Sequence, residues 1–240
     1  MPHLSLVIPV YNEEDNLERL HSEISEAMKG VSEDYEVMVT DDASTDRSWE
    51  ILGTIIARDP RWRAQRFVEN CGETAASAAG MKAARGKIIF TLDADLQNDP
   101  RDIPKFLEAL KDADCVCGSR VHERADNWVR RMSSRIANGV RNQLSDENIT
   151  DAGCTYRAFK KECLAEVKFF RGAHRFLPTL FRMDGFKVVE VPITPRERFA
   201  GESKYGVWNR LFKSFTDLLA VRWMKSRQLR YRVGERKGDG

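Results

Sequence analysis

Apolar positions along the chain follow two alternating rhythms. Short β-rich runs cover residues 4–10, Tyr35 to Asp41, Trp62 to Val68, Lys87 to Asp93 and Asp114 to Ser119. Between them, Leu17, Leu20, Ile24 and Met28 repeat at helical spacing, as do Ile51, Ile55 and Ile56. Asn12 and Ser44 stand where helix N-caps belong, and Pro100 suits a first helical turn. From Glu123 to Asn148 the pattern turns polar and arginine-rich, which predicts a helix flanked by loops. A further strand is expected at Lys187 to Ile193, then a loop with Gly201, then a long helix from Tyr205 to Lys225. Strand–helix alternation at this spacing predicts an α/β fold, a mostly parallel sheet covered by helices. Such sheets bind ligands beyond the carboxyl ends of their strands, where connections diverge.

Composition narrows the classes of partner. With 39 basic against 37 acidic side chains in 240 residues, the net charge of +2 gives no reason to expect nucleic acid. Hydrophobic residues make up 42%, enough for one substantial core, and the mean hydropathy of −0.50 is that of a soluble-looking protein. No apolar run approaches the roughly 20 residues that cross a bilayer, and the first residues lead straight into a strand rather than a secretory signal. The five cysteines lack common zinc spacing and read as reduced thiols of a cytoplasmic protein. Cys115 and Cys117 fall on one side of a strand as packing residues, and the four histidines are scattered.

The polar signals stand at strand ends. Asp93-Ala94-Asp95-Leu96-Gln97 follows the apolar run Ile88 to Leu92. Two carboxylates two residues apart point alike if the chain stays extended, and can share a hard cation with a diphosphate, with Gln97 adding a neutral oxygen. Short acidic pairs also cap helices, so the pair gains weight from its strand and its companions. Pro9-Val10-Tyr11-Asn12-Glu13-Glu14 closes the first strand, where Tyr11 can stack on a base and Glu13 can accept a hydrogen bond. Thr40-Asp41-Asp42-Ala43-Ser44-Thr45-Asp46 closes the second, with two adjacent aspartates leaving the sheet.

The segments PVYNEEDNL, DDASTD, NCGETAA, DADLQ, GSR and RERFAGESK come in the order and spacing of the inverting family 2 glycosyltransferases. Within these the chain resembles the dolichol-phosphate mannosyltransferase and undecaprenyl-phosphate glycosyltransferase branch, over about Leu4 to Met224. The resemblance implies a GT-A fold, a nucleotide-sugar donor, a divalent cation (magnesium or manganese) and a polyprenyl-phosphate acceptor. By matching position it implies that Pro9, Tyr11, Glu13 and Asp42 hold the nucleoside, with the backbone near Thr40 beside it. It makes Asp93, Asp95 and Gln97 the metal and diphosphate site, with Ala94 against the donor. Arg120, Arg198 and Lys204 are then phosphate-binding cations, and Arg131 is a further cation for the acceptor. Three departures stand out: Ala43 where a glycine is usual, Glu73 in place of a neutral glutamine, and Asp151 to Arg157 where the run commonly ends in GFR. They leave the metal site intact and bear on the donor sugar.

An ionised phosphomonoester acceptor needs cations to position it rather than a general base, and attack opposite the leaving diphosphate inverts the sugar carbon. The nearest rival uses a saccharide hydroxyl acceptor and requires a carboxylate base, with Asp151 the candidate. A catalytically silent nucleotide-sugar-binding protein is a more distant one. One glycosyltransferase domain is expected over 1–225, comprising a nucleotide-sugar half (1–120), an acceptor half (121–204) and an amphipathic helix (205–225), before a basic tail (226–240). Trp208, Leu211, Phe212, Phe215, Leu218, Leu219 and Trp223 fall on one broad helical face, followed by Arg222, Lys225, Arg227 and further cations. That pattern suits either the surface of an anionic membrane or a core-packing helix with a basic tail. The corresponding expectation is a cytoplasmic protein held at the inner face of the membrane, directly or through a membrane protein.

Overall fold

In the computed structural model, which describes residues 2–120, 150–151, 154–194, 196 and 207–229, the chain enters the centre of a sheet at once. Strand β1 (Leu4–Val10) pairs in parallel with β2 (Tyr35–Asp41) on one side and β4 (Ile88–Thr91) on the other. Both faces of β1 are covered, which is why its residues are almost all apolar rather than alternating. Strand β3 (Trp62–Arg66) extends the sheet beyond β2. On the other flank β5 (Cys115–Ser119), β6 (Arg157–Lys160) and β7 (Val188–Pro192) complete the strand order β3-β2-β1-β4-β6-β5-β7. Among the described strands only β6 runs against its neighbours, β4 and β5. The expected mostly parallel α/β sheet is therefore found, with one antiparallel strand that periodicity did not predict.

Helices α1 (Leu17–Ala27), α2 (Ser48–Arg58), α3 (Glu73–Ala83) and α4 (Ile103–Ala109) follow successive strands, and α5 (Leu177–Met183) and α6 (Val207–Ser226) come later. One core cluster lies under α1, α2 and α4 and includes Leu17, Leu20, Ile24, Leu52, Ile55 and Phe106. The second lies under α3 and α5 and includes Met81, Phe159, Leu177, Phe181 and both Cys115 and Cys117, the packing role expected of the two thiols. A smaller cluster seats Leu218 and Val221 of α6 on Phe176 and Leu180.

Two expected caps are corrected. Helix α1 starts at Leu17 and α2 at Ser48, so neither Asn12 nor Ser44 is an N-cap. Instead the loops after β1 and β2 lock together. Asn12 is held at a positive φ of 56°, its backbone N–H donates to the Ser44 hydroxyl at 2.9 Å, and its side-chain oxygen accepts from the Thr45 N–H at 2.8 Å. Ser48 Oγ accepts the Glu13 N–H at 2.8 Å and Asp46 accepts that of Glu14 at 3.1 Å. Pro100 does open a short 3-10 turn, capped by the Asp99 carboxylate on the Arg101 N–H at 3.0 Å. The expected helix within Glu123 to Asn148 lies outside the described residues.

Candidate active site

The connection β1-β2-β3 runs outward on one side of β1, and the chain then returns to β4 on the other. Connections diverge between β1 and β4, and in open α/β sheets this is where ligand crevices open. The Asp93-to-Gln97 segment leaves β4 at this point. Leu92, Ala94 and Leu96 are buried in the core, and Asp93 lines a crevice together with Pro9, Glu73 and Thr155. Leu96 has φ 64°, an uncommon value for a branched side chain, so the turn that presents these groups is strained. It is tied down by neighbours. Asn98 Oδ1 accepts the Asp93 N–H at 2.9 Å, Asp95 Oδ1 accepts the Gln97 N–H at 3.1 Å, and the Tyr156 hydroxyl donates to the Asp99 carbonyl at 3.1 Å. Asp95 is only 8% exposed. Ala94, with its side chain in the core, can face a donor only through its backbone.

Burial, with the nearby charges of Glu73 and Asp95, pushes the Asp93 carboxyl up to about 7. The Thr155 hydroxyl donates to it and acts in the opposite sense, as does the Arg120 charge. Crowded carboxylates of this kind favour a cation among them. Two carboxylates and an amide oxygen are hard donors of the type that magnesium and manganese take. Among the described residues no group of three or more His, Cys, Asp or Glu side chains gathers as a cage.

Asp42 is buried, and its two oxygens accept the Cys71 and Gly72 N–H groups at 2.7 and 2.8 Å. It thereby joins the end of β2 to the loop that opens α3. Thr40 is buried and accepts from Gln65 Nε2 at 3.0 Å. Its neighbour Asp41 forms an ion pair with Arg66 at 3.0 Å. Pro9 lines the crevice below Asp93, while Glu13 accepts from Asn16 Nδ2 at 2.6 Å at the start of α1. Tyr11 lies between Pro9 and Asn12, partly buried. Arg120, at the end of β5, forms a two-pronged pair with Asp151, Nε to Oδ2 at 2.7 Å and Nη2 to Oδ1 at 3.0 Å. The proposed phosphate cation and the rival's catalytic base are therefore partners of each other. Arg131, Arg198 and Lys204 lie outside the described residues. Arg196, two positions before Arg198, grips Glu23 of α1 at 2.5 and 3.0 Å.

Sequence reasoning took Thr155 and Arg157 only as part of the run Asp151 to Arg157, with no role of their own, and left His174 among the scattered histidines. Arg157 is 2% exposed, and its guanidinium donates to the His174 backbone carbonyl. His174 Nδ1 lies 2.7 Å from Thr74 Oγ1 and Nε2 lies 3.4 Å from Glu73 Oε1. The available signal was an arginine in an otherwise apolar run, Tyr156 to Phe159, which a buried strand tolerates only with partners.

A mostly parallel sheet with a carboxylate pair at its switch point is compatible with the GT-A fold, and comparison with known proteins agrees. The glycosyl transferase family 2 sequence model matches residues 5–168, and the chain belongs to that family. It is 36% identical over 205 residues to an undecaprenyl-phosphate 4-deoxy-4-formamido-L-arabinose transferase of Edwardsiella ictaluri, covering 85% of this chain and 63% of that protein. It is 33% identical over 225 residues to a dodecaprenyl-phosphate galacturonate synthase of Rhizobium johnstonii, covering 91% and 66%. The chain thus spans less than two thirds of the length of these relatives. Among solved structures, a Pyrobaculum calidifontis mannosyltransferase in complex with GDP-Man and Mn2+ matches with a TM-score of 0.64 at 19% identity, over 96% of this chain and 65% of that one. The Mycobacterium tuberculosis glucosyl-3-phosphoglycerate synthase, with Mn2+, UDP and phosphoglyceric acid, matches at 0.66 and 20% identity, over 98% and 82%. These likenesses establish the shared fold.

Proposed function

We propose that this chain transfers a sugar from a nucleotide donor to a polyprenyl phosphate at a membrane surface, with inversion at the sugar carbon. The observation that carries the reading is the Asp93–Asp95 pair at the switch point of the sheet, with Asp93 in the wall of the crevice. In this reading Asp93, Asp95 and Gln97 hold a magnesium or manganese ion together with the donor diphosphate. The ion supplies charge neutralisation for the departing nucleoside diphosphate. Pro9, Tyr11, Glu13, Asp42 and the backbone at Thr40 and Ala94 form the nucleoside wall. Asp42 does so while bracing the α3 loop, since each carboxylate oxygen keeps a lone pair beyond the one given to a backbone N–H. Arg198, Lys204, Arg131 and Arg120 provide the positive charge around the two phosphates, and the lipid phosphate attacks as the anion it already is.

The relatives named for undecaprenyl and dodecaprenyl phosphate support this acceptor. The hydroxyl-acceptor alternative needs Asp151 as a free base. Both Asp151 oxygens are engaged by Arg120, so that pair would have to break before Asp151 could take a proton from a hydroxyl. The membrane association, direct or through a partner, and the single-domain organisation over 1–225 belong to the same proposal. A transfer assay tests it, with UDP- and GDP-sugars, Mn2+ or Mg2+ and a short-chain polyprenyl phosphate. Metal-dependent product formation is expected, and Asp95→Ala should abolish turnover while leaving the thermal unfolding transition in place. Full activity of Asp95→Ala, or transfer only to saccharide hydroxyls, overturns the reading.

A further inference from the structure

The Asp93 carboxylate is gripped rather than left to turn. Asp93 lies just beyond β4, where its backbone N–H is held by Oδ1 of the buried Asn98 at 2.9 Å. At the other end of the residue, the Thr155 hydroxyl donates to Oδ2. Among the described residues this hydroxyl is the one side-chain donor to Asp93, and Oδ1 accepts no hydrogen bond.

Thr155 owes its place to the strand that follows it. Tyr156 and Ala158 pack into the core cluster under α1, α2 and α4, while Phe159 packs into the one under α3 and α5. Alternation along an extended chain puts Thr155 on the side of Phe159, and it lines the crevice beside Asp93. Its backbone is held from both neighbouring strands. The Thr91 hydroxyl of β4 donates to the Thr155 carbonyl at 2.5 Å, and the Gly118 N–H of β5 donates to the Tyr156 carbonyl at 2.9 Å. A β-branched side chain on so fixed a backbone has few rotamers open to it. The hydroxyl is therefore a stationary donor, and the carboxylate it meets is kept in one plane.

A stationary carboxylate does not serve all cations alike. Magnesium demands near-ideal octahedral geometry at short range, and manganese also takes octahedral oxygen sites. Calcium accepts more oxygens in a flexible arrangement, so it gains less from a ligand fixed in advance. Hydrogen-bonded partners of ligating groups commonly tune a metal site in this way.

We propose that Thr155 is a positioning residue for the cation: by holding Oδ2 it sets the plane of Asp93, leaves Oδ1 for the ion, and biases the site towards manganese or magnesium over calcium. This deepens the metal-site reading and rests on it. Thr155 itself touches neither metal nor substrate; it acts through Asp93, and Thr91 acts through Thr155.

The test uses the metal alone, without nucleotide or acceptor. Bound Mn2+ is counted by electron paramagnetic resonance, and Ca2+ affinity is read from its displacement of Mn2+. Asp95→Ala is the control: a parent that binds no Mn2+, or whose binding this variant leaves unmoved, overturns the metal-site reading and the proposal with it. Thr155→Val keeps the shape of the side chain and removes the hydroxyl. It should weaken Mn2+ binding at least about tenfold, the usual cost of losing a partner of a ligating group. Ca2+ should weaken less, so the Mn2+ preference falls. Thr155→Ser returns the hydroxyl and should restore that preference. Where the Asp95→Ala control behaves as expected, unchanged or tighter Mn2+ binding in Thr155→Val overturns the proposal alone. So does an equal loss for both ions, or a serine variant no better than the valine one. Should Thr155→Val not fold, Thr91→Val carries the test. It loosens the Thr155 backbone without touching Asp93, and a Mn2+ preference equal to the parent's overturns the proposal.

Discussion

Asp93 shows how a single residue can be set against the stability of its own fold. Burial and the Glu73 and Asp95 charges disfavour the ionised form and push its carboxyl from an ordinary 3.8 up to about 7. A raised carboxylate contributes stability while it stays protonated, below pH 4. That contribution is lost as pH rises through 7, when the folded state must give up a proton it holds more tightly than the unfolded chain does. The metal-free protein should therefore be strained at pH 8 by up to about 4 kcal/mol at this residue. Asp93→Asn should unfold at a higher temperature than the parent at pH 8 in chelator, and the gap should close towards pH 4. The same variant should lose Mn2+-dependent nucleotide binding. Scanning calorimetry at both pH values checks the first statement, and a variant no more stable than the parent at pH 8 would remove the electrostatic account. A cation relieves the same repulsion, so in the parent Mn2+ should raise the unfolding temperature most at the higher pH.

At the scale of elements, α3 is the piece that joins sheet to site, and its C-terminal connection is tightly specified. A Cβ on Gly86 would lie 2.7 Å from both the Leu4 carbonyl carbon and the Ser5 nitrogen of β1, backbone atoms that cannot move without shifting the strand. The Gly86 N–H also donates to Ser5 Oγ at 2.8 Å, and that hydroxyl donates on to Glu36 at 2.7 Å. Gly86→Ala should cost about 1–3 kcal/mol, typical of overpacking, and lower the unfolding temperature. Below that temperature its turnover should match the parent, since Gly86 is at the end of the sheet away from Asp93; unaltered stability would contradict the close approach. The strands of the first 120 residues and helices α1 and α2 were legible in the sequence because burial on two faces writes apolar runs, and helices beside them write a 3.6-residue period, whereas the small residues of α3 write none. The Asp93–Asp95 pair was legible for the same reason, as an acidic interruption at the end of such a run. What escaped was structure made across long separations. Asn12 and Ser44 looked like caps because residue type alone cannot reveal that two loops exchange their hydrogen bonds. β6 was hidden because Arg157 and Lys160 break the apolar pattern, and the burial of Arg157 depends on His174. His174 in turn looked isolated because its partner Thr74 is 100 positions away.

At the scale of the whole molecule, the question is how a protein built for a soluble nucleotide would meet a lipid. No helix among the described residues is long and apolar enough to cross a membrane. Helix α6 had two competing expectations, core packing and membrane contact, and its described C-terminal half has a face for each. Leu218 and Val221 pack against Phe176 and Leu180, while Leu219 and Trp223 stand 44% and 63% exposed. Leu229 is exposed just beyond it, and Arg222, Lys225 and Arg227 lie between and after these apolar positions. An apolar strip with a tryptophan and flanking cations favours the interface of an anionic bilayer, where each cation near the surface adds about 1 kcal/mol. The packed face ties that strip to the body of the enzyme, since Asp217 lies against Gly172 in the loop that carries His174. Bilayer contact would therefore bring the catalytic crevice to a fixed orientation above the surface. The protein should cosediment with vesicles containing phosphatidylglycerol, and much less with pure phosphatidylcholine. Trp223→Ala should weaken that binding several-fold and raise the KM for polyprenyl phosphate presented in vesicles. It should leave kcat with a detergent-dispersed short-chain acceptor unchanged, because the residue does not touch the site. Equal sedimentation of parent and Trp223→Ala would assign the exposed strip to a protein partner instead of the bilayer.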